Sequence, residues 1–304
     1  MGIRVTAILY ALFAAVFYAI NVPVSKLLLT RVPPTIMAGL LYLGAGIGVG
    51  ILFLLNPKRE RAARLSNQEL PFTLAMIVLD IAAPVLLMAG IRMGSASNAS
   101  LLGNFEIVAT AVIALAIFHE AISPRLWAAI LLITASTLLL SFEGAESFCF
   151  SLGSLCVLGA TVCWGLENNC TRRLANKSTY EIVLLKGLFS GSGSLVIGLA
   201  AGERLLSVQD VLCTLMLGFV AYGLSIFLYV RAQRTLGAAK TSAYYAVAPF
   251  IAAFFSFVFV GEPLTTRFLL ALSIMAAGTA FVVRDSLAAL PAGRRQRHRR
   301  GKRP

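Results

Sequence analysis

The chain consists mostly of long apolar stretches that are separated by short polar or basic segments. Each stretch is close to the roughly 20 helical residues needed to cross a hydrocarbon core of about 30 Å. The apolar runs are continuous rather than alternating, which indicates transmembrane helices and not the strands of a barrel. The pattern therefore predicts an all-α integral membrane protein with ten transmembrane helices. They are expected at residues 5–28, 35–55, 71–91, 96–118, 125–141, 151–171, 180–201, 209–230, 239–260 and 266–283.

Composition argues against the main classes of soluble protein. Hydrophobic residues make up 59% of the 304 residues and charged residues only 13%, which would leave a soluble fold without a polar surface. The chain has only two histidines and neither a Gly-x-Ser-x-Gly nor a His-Glu-x-x-His motif, which argues against an enzyme. It also lacks a phosphate-binding loop, so ATP-driven transport is disfavoured. We expect no cofactor and no metal.

The distribution of basic residues predicts the orientation in the membrane. With both termini in the cytoplasm, 20 of the 26 Lys and Arg residues fall in inside segments and five in outside segments. Lys and Arg concentrate in cytoplasmic loops. We therefore predict a multi-pass protein of the inner, cytoplasmic membrane of the cell, with its N- and C-termini in the cytoplasm.

The basic tail, residues 286–304, follows the last predicted helix directly. It contributes much of the formal net charge of +13, and such a cluster could also be a nucleic-acid patch. Its position after a transmembrane helix favours a disordered cytoplasmic segment that lies against anionic lipid head groups. We expect no nucleic-acid partner, and either a monomer or a homodimer.

Four cysteines recur every seven residues along the sixth predicted helix. They are Cys149, Cys156, Cys163 and Cys170. Neighbours on this stripe are roughly 10 Å apart, which is too far for a disulfide along the helix. We expect them to pack against other helices.

The chain contains two similar halves, residues 1–145 and 146–285. An offset of 142 residues aligns the spans and joints of both halves without a gap. The aligned pairs include Arg92 with Arg234, Ala96 with Ala238, Ser100 with Ser242, and Glu120 with Glu262. Each half holds five predicted spans, and because five is odd the second half is inverted relative to the first. Inverted repeats are typical of secondary transporters, whose substrate site lies near mid-membrane between the repeats.

Motifs in the fourth and ninth spans resemble those of EamA-type transporters of the drug/metabolite transporter superfamily. The first copy is Asn98-Ala-Ser-Leu-Leu-Gly-Asn-Phe-Glu106, followed by Phe118-His-Glu-Ala-Ile-Ser123. The second copy runs from Ala238 through Pro249 to Gly261-Glu-Pro-Leu-Thr265. The resemblance implies that helices one, three, four, six, eight and nine surround a cavity, with five and ten behind them. It also implies export or exchange of amino acids and similar small metabolites.

Four charged residues lie inside predicted spans, namely Asp80, Glu106, Glu167 and Lys186. A charge at mid-membrane costs at least about 2.5–3.5 kcal/mol, so such residues face a cavity or a partner. Glu167 and Lys186 lie at similar depth on consecutive helices, which predicts a structural ion pair between them. Asp80 and Glu106 would then lack a basic partner and could carry a proton or bind an amine. Hydrogen bonds to neighbouring helices are the alternative role for both acids.

Prolines and neutral polar or aromatic residues extend this candidate site. The prolines are expected to mark helix breaks, at Pro23, Pro84 and Pro249. Pro84 removes the hydrogen bond to the carbonyl of Asp80, and Pro23 and Pro249 do the same in the first and ninth helices, although Pro23 could also be a simple kink. The neutral polar candidates, which could instead join helices, are Asn21, Asn104, Asn168 and Gln233. The aromatic candidates, which could instead anchor the protein at the interface, are Trp164, Tyr244 and Tyr245.

The sequence predicts a secondary active transporter that exports or exchanges small metabolites, above all amino acids or related compounds, with proton coupling through Asp80 and Glu106. A membrane channel or a non-transporting packing subunit is the alternative. Channel function does not require an inverted repeat with paired helix breaks, so these features favour a transporter. The expected partners are a small-molecule substrate and the lipid bilayer.

Overall fold

The computed structural model describes residues 3–55, 67–119, 122–141, 151–174, 178–204, 207–236, 241 and 244–288. These residues form helices that are joined by short turns, and none of them is in a strand. The first seven helices are α1 (Ile3–Ala19), α2 (Asn21–Leu28), α3 (Pro34–Leu55), α4 (Leu70–Met93), α5 (Ala96–Leu102), α6 (Phe105–Phe118) and α7 (Pro124–Ser141). The others are α8 (Leu152–Arg173), α9 (Thr179–Leu185), α10 (Gly191–Ala200), α11 (Val208–Gly218), α12 (Ser225–Leu236), α13 (Ala248–Val260) and α14 (Thr266–Ala288). Two π-helical segments, π1 (Lys186–Ser190) and π2 (Phe219–Leu224), connect α9 to α10 and α11 to α12.

Eight helical segments of the described residues are long and apolar enough to cross a membrane. They correspond to the predicted spans except the sixth and the ninth. α8 has the length of a span, but Glu167, Asn168 and Asn169 near its C-terminus make it more polar. α13 is apolar but only 13 residues long. The protein is therefore a multi-pass, helical membrane protein, while the number of ten spans and the inversion of the two halves stay predictions.

Turns interrupt three of the predicted spans. The first span breaks at Ile20, between α1 and α2. The fourth breaks at Gly103 and Asn104, between α5 and α6, and the ninth turns at residues 246–247, directly before α13. The offset of 142 that aligns the two halves places the break of the fourth span within one residue of the break of the ninth. These two interruptions therefore occupy equivalent positions in the two halves.

Two of the three expected proline effects need correction. Pro84 lies inside α4, which continues unbroken from Leu70 to Met93, so its effect is limited to the hydrogen bond that it cannot donate. Pro249 lies in the first turn of α13, where a helix needs no N–H donor. Pro249 therefore begins a helix after the turn and does not interrupt a continuous one.

Glycines allow the backbone of α3 to contact the second half of the chain. A Cβ atom on Gly44 would lie 2.1 Å from the carbonyl oxygen of Leu215, and one on Gly187 would lie 2.3 Å from the Cα atom of Gly46. A Cβ atom on Gly218 would lie 2.1 Å from a carbonyl oxygen of α3. Such contacts between small residues are the usual means of close helix packing in membranes. They place π1, α11 and π2 directly against α3.

Two further helix pairs determine the arrangement around the site. α4 packs against α8, where Gly90 and Gly153 approach so closely that a Cβ atom on Gly153 would lie 3.1 Å from the carbonyl oxygen of Gly90. α7 packs against α14, and the Ser136 hydroxyl donates a 2.7 Å hydrogen bond to the carbonyl oxygen of Ala271. The α7–α14 pair comprises the predicted fifth and tenth spans.

Charged side chains from loops and helix ends connect separate helices at one end of the bundle. The Glu262 carboxylate accepts hydrogen bonds from the backbone N–H groups of Ala96 and Ser97 at 2.6 and 2.9 Å, at the start of α5. The Glu203 carboxylate accepts a hydrogen bond from the N–H of Ile36 at 2.9 Å, at the start of α3. Lys26 donates to the carbonyl oxygen of Ile91 at 2.7 Å, near the end of α4. Each contact places a charge where the helix dipole attracts it.

Candidate functional site

One lysine lies between two buried carboxylates in the interior of the bundle. The Lys186 ammonium, at the start of π1, is 2.6 Å from Oε1 of Glu167 on α8 and 3.3 Å from Oδ2 of Asp80 on α4. The Tyr42 hydroxyl donates a 2.9 Å hydrogen bond to the other oxygen of Asp80, and the Thr171 hydroxyl donates to Glu167. We call these residues the Lys186 cluster. The structure thus brings Glu167 and Lys186 together, but it corrects the expectation that Asp80 lacks a basic partner.

Glu106 lies in the first turn of α6, beside the break in the fourth span. Its carboxylate accepts a 2.7 Å hydrogen bond from the Asn168 amide of α8, and Asn168 also lies 3.4 Å from the Thr110 hydroxyl. Within the described residues Glu106 has no ion pair. Among the described residues, Glu106 is therefore a half-buried acid whose hydrogen-bond partner is neutral.

Five tyrosine rings form a continuous row that starts at the Lys186 cluster. The centroid distances between successive rings are 5.3 Å from Tyr42 to Tyr222, 5.9 Å from Tyr222 to Tyr18, 5.9 Å from Tyr18 to Tyr245, and 5.2 Å from Tyr245 to Tyr229. Rings at these separations attract one another through their edges and faces. The faces of such rings can also hold a cation. We call these five residues the tyrosine row.

Two of the predicted polar and aromatic residues contact the tyrosine row. The buried Asn21 amide donates a 3.1 Å hydrogen bond to the Tyr222 hydroxyl and in turn accepts one from Ser25. The buried Trp164 side chain belongs to the same hydrophobic core cluster as Tyr42 and Tyr222. Asn21, Trp164 and Tyr245 therefore belong to the same contact network as Asp80.

Asn104 lies at the break itself. It precedes α6, only 3% of its surface is exposed, and the Nδ2 atom of its side chain has no hydrogen-bond partner within the described part of the chain. An unsatisfied buried amide costs about 1–3 kcal/mol, so a group that binds there would gain from meeting it. Tyr244 is half-buried, and within the described part of the chain no hydrogen bond or ring contact joins it to the Lys186 cluster. The side chain of Gln233 lies outside the described residues.

A cavity of about 340 Å³ opens near the end of α4, close to the contacts of Glu262. Its lining combines apolar residues of α5 and α8 with polar groups that include Asn98, Ser154 and Arg267. One donor of the Arg267 guanidinium is already used, because its Nε donates to the carbonyl oxygen of Leu139. The cavity lies at one end of α4, about ten residues or roughly 15 Å along the helix from Asp80.

No metal site accompanies these groups within the described residues, where no cluster of three His, Cys, Asp or Glu side chains could hold an ion. Cys156, Cys163 and Cys170 lie along α8 as free thiols, while Cys149 falls outside the described residues. Within the described chain the candidate site thus consists of carboxylates, one ammonium group, amides and tyrosine rings.

The sequence alone does not mark four members of the tyrosine row as site residues, namely Tyr18, Tyr42, Tyr222 and Tyr229. Tyr42 and Tyr222 lie in helices that are hydrophobic on every side. The periodicity of the sequence therefore does not show which way their side chains face. Tyr229 lies near the end of its span, where tyrosine is usually an interfacial anchor. Tyr18 lies in the middle of the first span, within an apolar run. One available signal was that Tyr18 lies three residues from Asn21, which places the two residues on one helical face.

Comparisons with known proteins agree with a transport protein. The model of the EamA-like transporter family matches residues 5–142 and 151–284. An uncharacterized transporter from Methanothermobacter thermautotrophicus is 26% identical over 269 residues, which cover 82% of this chain and 78% of that protein. A protein of known crystal structure shares the fold with a TM-score of 0.66 at 16% identity, over 94% of this chain and 99% of the other.

Proposed function

Because the chain belongs to the EamA-like transporter family, we propose that it is a secondary active transporter that exports or exchanges amino acids or related small metabolites, coupled to protons. The observation that carries this proposal is the group of acids inside the bundle, at Asp80, Glu106 and Glu167, with one ammonium group among them. Three carboxylates and one lysine leave an excess of negative charge in an apolar environment. A proton or a cationic substrate would neutralise that excess.

Glu106 is the acid best suited to exchange a proton for a substrate. It is half-buried, its Asn168 partner is neutral, and it forms no ion pair within the described residues. An ionised Glu106 can bind the ammonium group of an amino acid, and a protonated Glu106 releases it. Competition between the two cations for one carboxylate couples their movement in opposite directions. Asp80 contributes by keeping Lys186 in place and adding to the negative charge.

The surrounding residues suit the other parts of an amino acid. The Asn104 amide has no hydrogen-bond partner among the described residues and can donate a hydrogen bond to the substrate carboxylate. The helix break beside it supplies irregular backbone, which transporters commonly place at their binding sites. The tyrosine row can contact an apolar or aromatic side chain through ring faces. Together these groups offer one partner for each functional part of an amino acid.

The proposal includes an orientation and a location. We place the protein in the inner, cytoplasmic membrane, with both termini in the cytoplasm and the basic tail against anionic lipid. The contacts of Glu262, Glu203 and Lys26 then lie at the outer face. Residues 289–304 of the tail lie outside the described residues.

The proposal is tested by pH-driven flux in proteoliposomes. Glu106→Gln keeps the size and hydrogen-bonding capacity of the side chain but removes its charge, so amino-acid flux driven by a proton gradient should fall to background. Asp80→Asn should also reduce this flux. Glu181→Gln is the matched control, because Glu181 is an exposed glutamate in the first turn of α9.

Two outcomes would contradict the proposal. Unchanged pH dependence in both Glu106→Gln and Asp80→Asn would make these acids structural. Absence of counterflow in the unmodified protein, when labelled external substrate is added to preloaded vesicles, would indicate a channel or a non-transporting subunit.

A further inference from the structure

Asp80 and Glu167 are both held in position by groups other than Lys186. Tyr42 donates to Asp80 at 2.9 Å, and Thr171 donates to Glu167. The two carboxylates come from different helices, α4 and α8, which pack closely against each other. Their oxygens therefore lie on either side of a position for one ammonium group, and this position does not depend on the lysine for its construction.

Lys186 is the accessible member of the Lys186 cluster. Its side chain is 15% exposed, compared with 1% for Asp80 and 4% for Glu167. Its backbone belongs to π1, and Gly187 is in direct contact with Gly46 of α3. Because the backbone is packed so closely, movement of Lys186 is limited to its flexible four-carbon side chain. The ammonium group can thus leave while the carboxylates stay in place.

We propose that Asp80 and Glu167 form a binding site for a primary ammonium group, which Lys186 occupies when no substrate is present. The inference rests on the proposed function and specifies its substrates as molecules with a primary amine. Such a molecule first pairs with Glu106 and then moves to the Lys186 cluster. There its ammonium group replaces that of Lys186, so the charge between the carboxylates is unchanged.

The chemistry of the site explains why a primary amine is favoured. A primary ammonium group has three N–H donors. Lys186 uses one of them to donate to Glu167 at 2.6 Å, and it forms an ion pair with Asp80 at 3.3 Å. A primary amine that enters can donate to Glu167 in the same way and can also reach Asp80. A quaternary ammonium carries the same charge but has no N–H donor. An N-acetylated amine has neither the charge nor the geometry. The site should therefore distinguish these three classes of compound.

The experiment is a chemical rescue of the Lys186→Ala variant, measured as the thermal unfolding temperature of purified protein in detergent. The substitution removes the three outer methylene groups and the ammonium group of the side chain, and it leaves two buried carboxylates without their cation. The unfolding temperature should therefore fall, and n-butylammonium should restore it toward the value of the unmodified protein. Tetramethylammonium and n-butanol are the matched probes for charge alone and for shape alone.

A second variant keeps the test decisive if Lys186→Ala fails to fold. Lys186→Ala combined with Asp80→Asn has the same formal charge at these three positions as the unmodified protein, and it retains one carboxylate. This variant should be stabilised by n-butylammonium. The concentration that it needs should be at least about tenfold higher than the concentration that stabilises Lys186→Ala purified in the presence of the amine. Rescue by n-butanol or tetramethylammonium equal to that by n-butylammonium, or no stabilisation of either variant, would overturn the proposal.

The readout also separates this inference from the proposed function. The unfolding temperature depends on binding and not on transport. If n-butylammonium fails while Glu106→Gln still abolishes pH-driven flux, the ammonium site is wrong and proton-coupled transport stands. If n-butylammonium succeeds while flux is independent of Glu106, the ammonium site stands without that coupling.

Discussion

At the scale of single residues, the central feature is that one lysine forms ion pairs with two buried acids. Removal of one partner from a buried ion pair leaves a charge without compensation and typically costs about 3–5 kcal/mol. The three members of the Lys186 cluster are not equivalent in this respect. Loss of Glu167 leaves a neutral pair of Asp80 and Lys186 at 3.3 Å, whereas loss of Lys186 leaves two facing negative charges.

We therefore predict an order of stability among neutralised variants. Lys186→Met should lower the yield of folded protein and its unfolding temperature more than Glu167→Gln does. The double variant should be more stable than the sum of the two single losses predicts, because it removes one of the facing charges. A double-mutant cycle of thermal unfolding in detergent measures this coupling. Strictly additive losses would indicate that the two side chains do not interact.

At the scale of helices, the packing depends on glycines and on charged caps. Glu262 accepts hydrogen bonds from two N–H groups at the start of α5 and from the Ser95 hydroxyl at 2.8 Å. α5 is only seven residues long and has few helical hydrogen bonds of its own. A cap that contacts several donors is therefore a large part of what keeps α5 helical.

Removal of this cap should destabilise the protein by a measurable amount. Glu262→Ala should cost about 1–2 kcal/mol, because it leaves the N–H groups of Ala96 and Ser97 without their acceptor. Glu262→Gln should cost less, since an amide oxygen still accepts one bond. Thermal unfolding of both variants is compared with Glu181→Ala, which removes an exposed acid. Equal unfolding temperatures for Glu262→Ala and Glu181→Ala would contradict the capping role.

Glycines on α3 allow a second prediction at this scale. Gly44→Ala should strongly reduce folded yield, because its Cβ atom would lie 2.1 Å from a carbonyl oxygen of α11. Gly50→Ala on the same helix is the control, since its Cβ atom would meet only the end of the Leu184 side chain at 3.2 Å. Size-exclusion chromatography of both variants provides the measurement. Similar monodisperse yields would show that α3 and α11 can separate without loss of folding.

At the scale of the whole molecule, loops assigned to the outside by charge meet at one end of the bundle. Glu203 contacts the start of α3, and Glu262 contacts the start of α5. Arg31, in the turn before α3, and Asp210, in the first turn of α11, are 4.0 Å apart. The cavity lined by Arg267 opens at the same end. If alternate loops lie on the same side of the membrane, they must come together at one end of the bundle. The segments named here do so.

The orientation itself is a separate prediction. Because 20 of 26 basic residues lie in the segments assigned to the cytoplasm, a reporter that is active only outside the cytoplasm should give no signal when fused after Arg303. The same reporter inserted after Thr265, in the loop after α13, should be active. Activity after Arg303 would reverse the assignment of every loop.

The sequence by itself determined that the protein is helical and spans a membrane, and it located the charged residues within the spans. Both properties follow from local composition, since about 20 consecutive apolar residues specify a span whatever its neighbours are. Asp80, Glu106, Glu167 and Lys186 could therefore be identified without a structure. The break at Gly103 was not foreseen, because no proline marks it.

Only the tertiary structure decided which of these residues meet. A helix that is apolar on every side carries no signal of which face points inward, so the rotation of each helix is set by its contacts. The close approaches at Gly44 and Gly187 fix that rotation for α3 and π1. As a result Lys186 reaches Asp80 as well as Glu167, and five tyrosines align beside them. Sequence determines which charges must be buried, whereas packing between separate helices determines how they are neutralised.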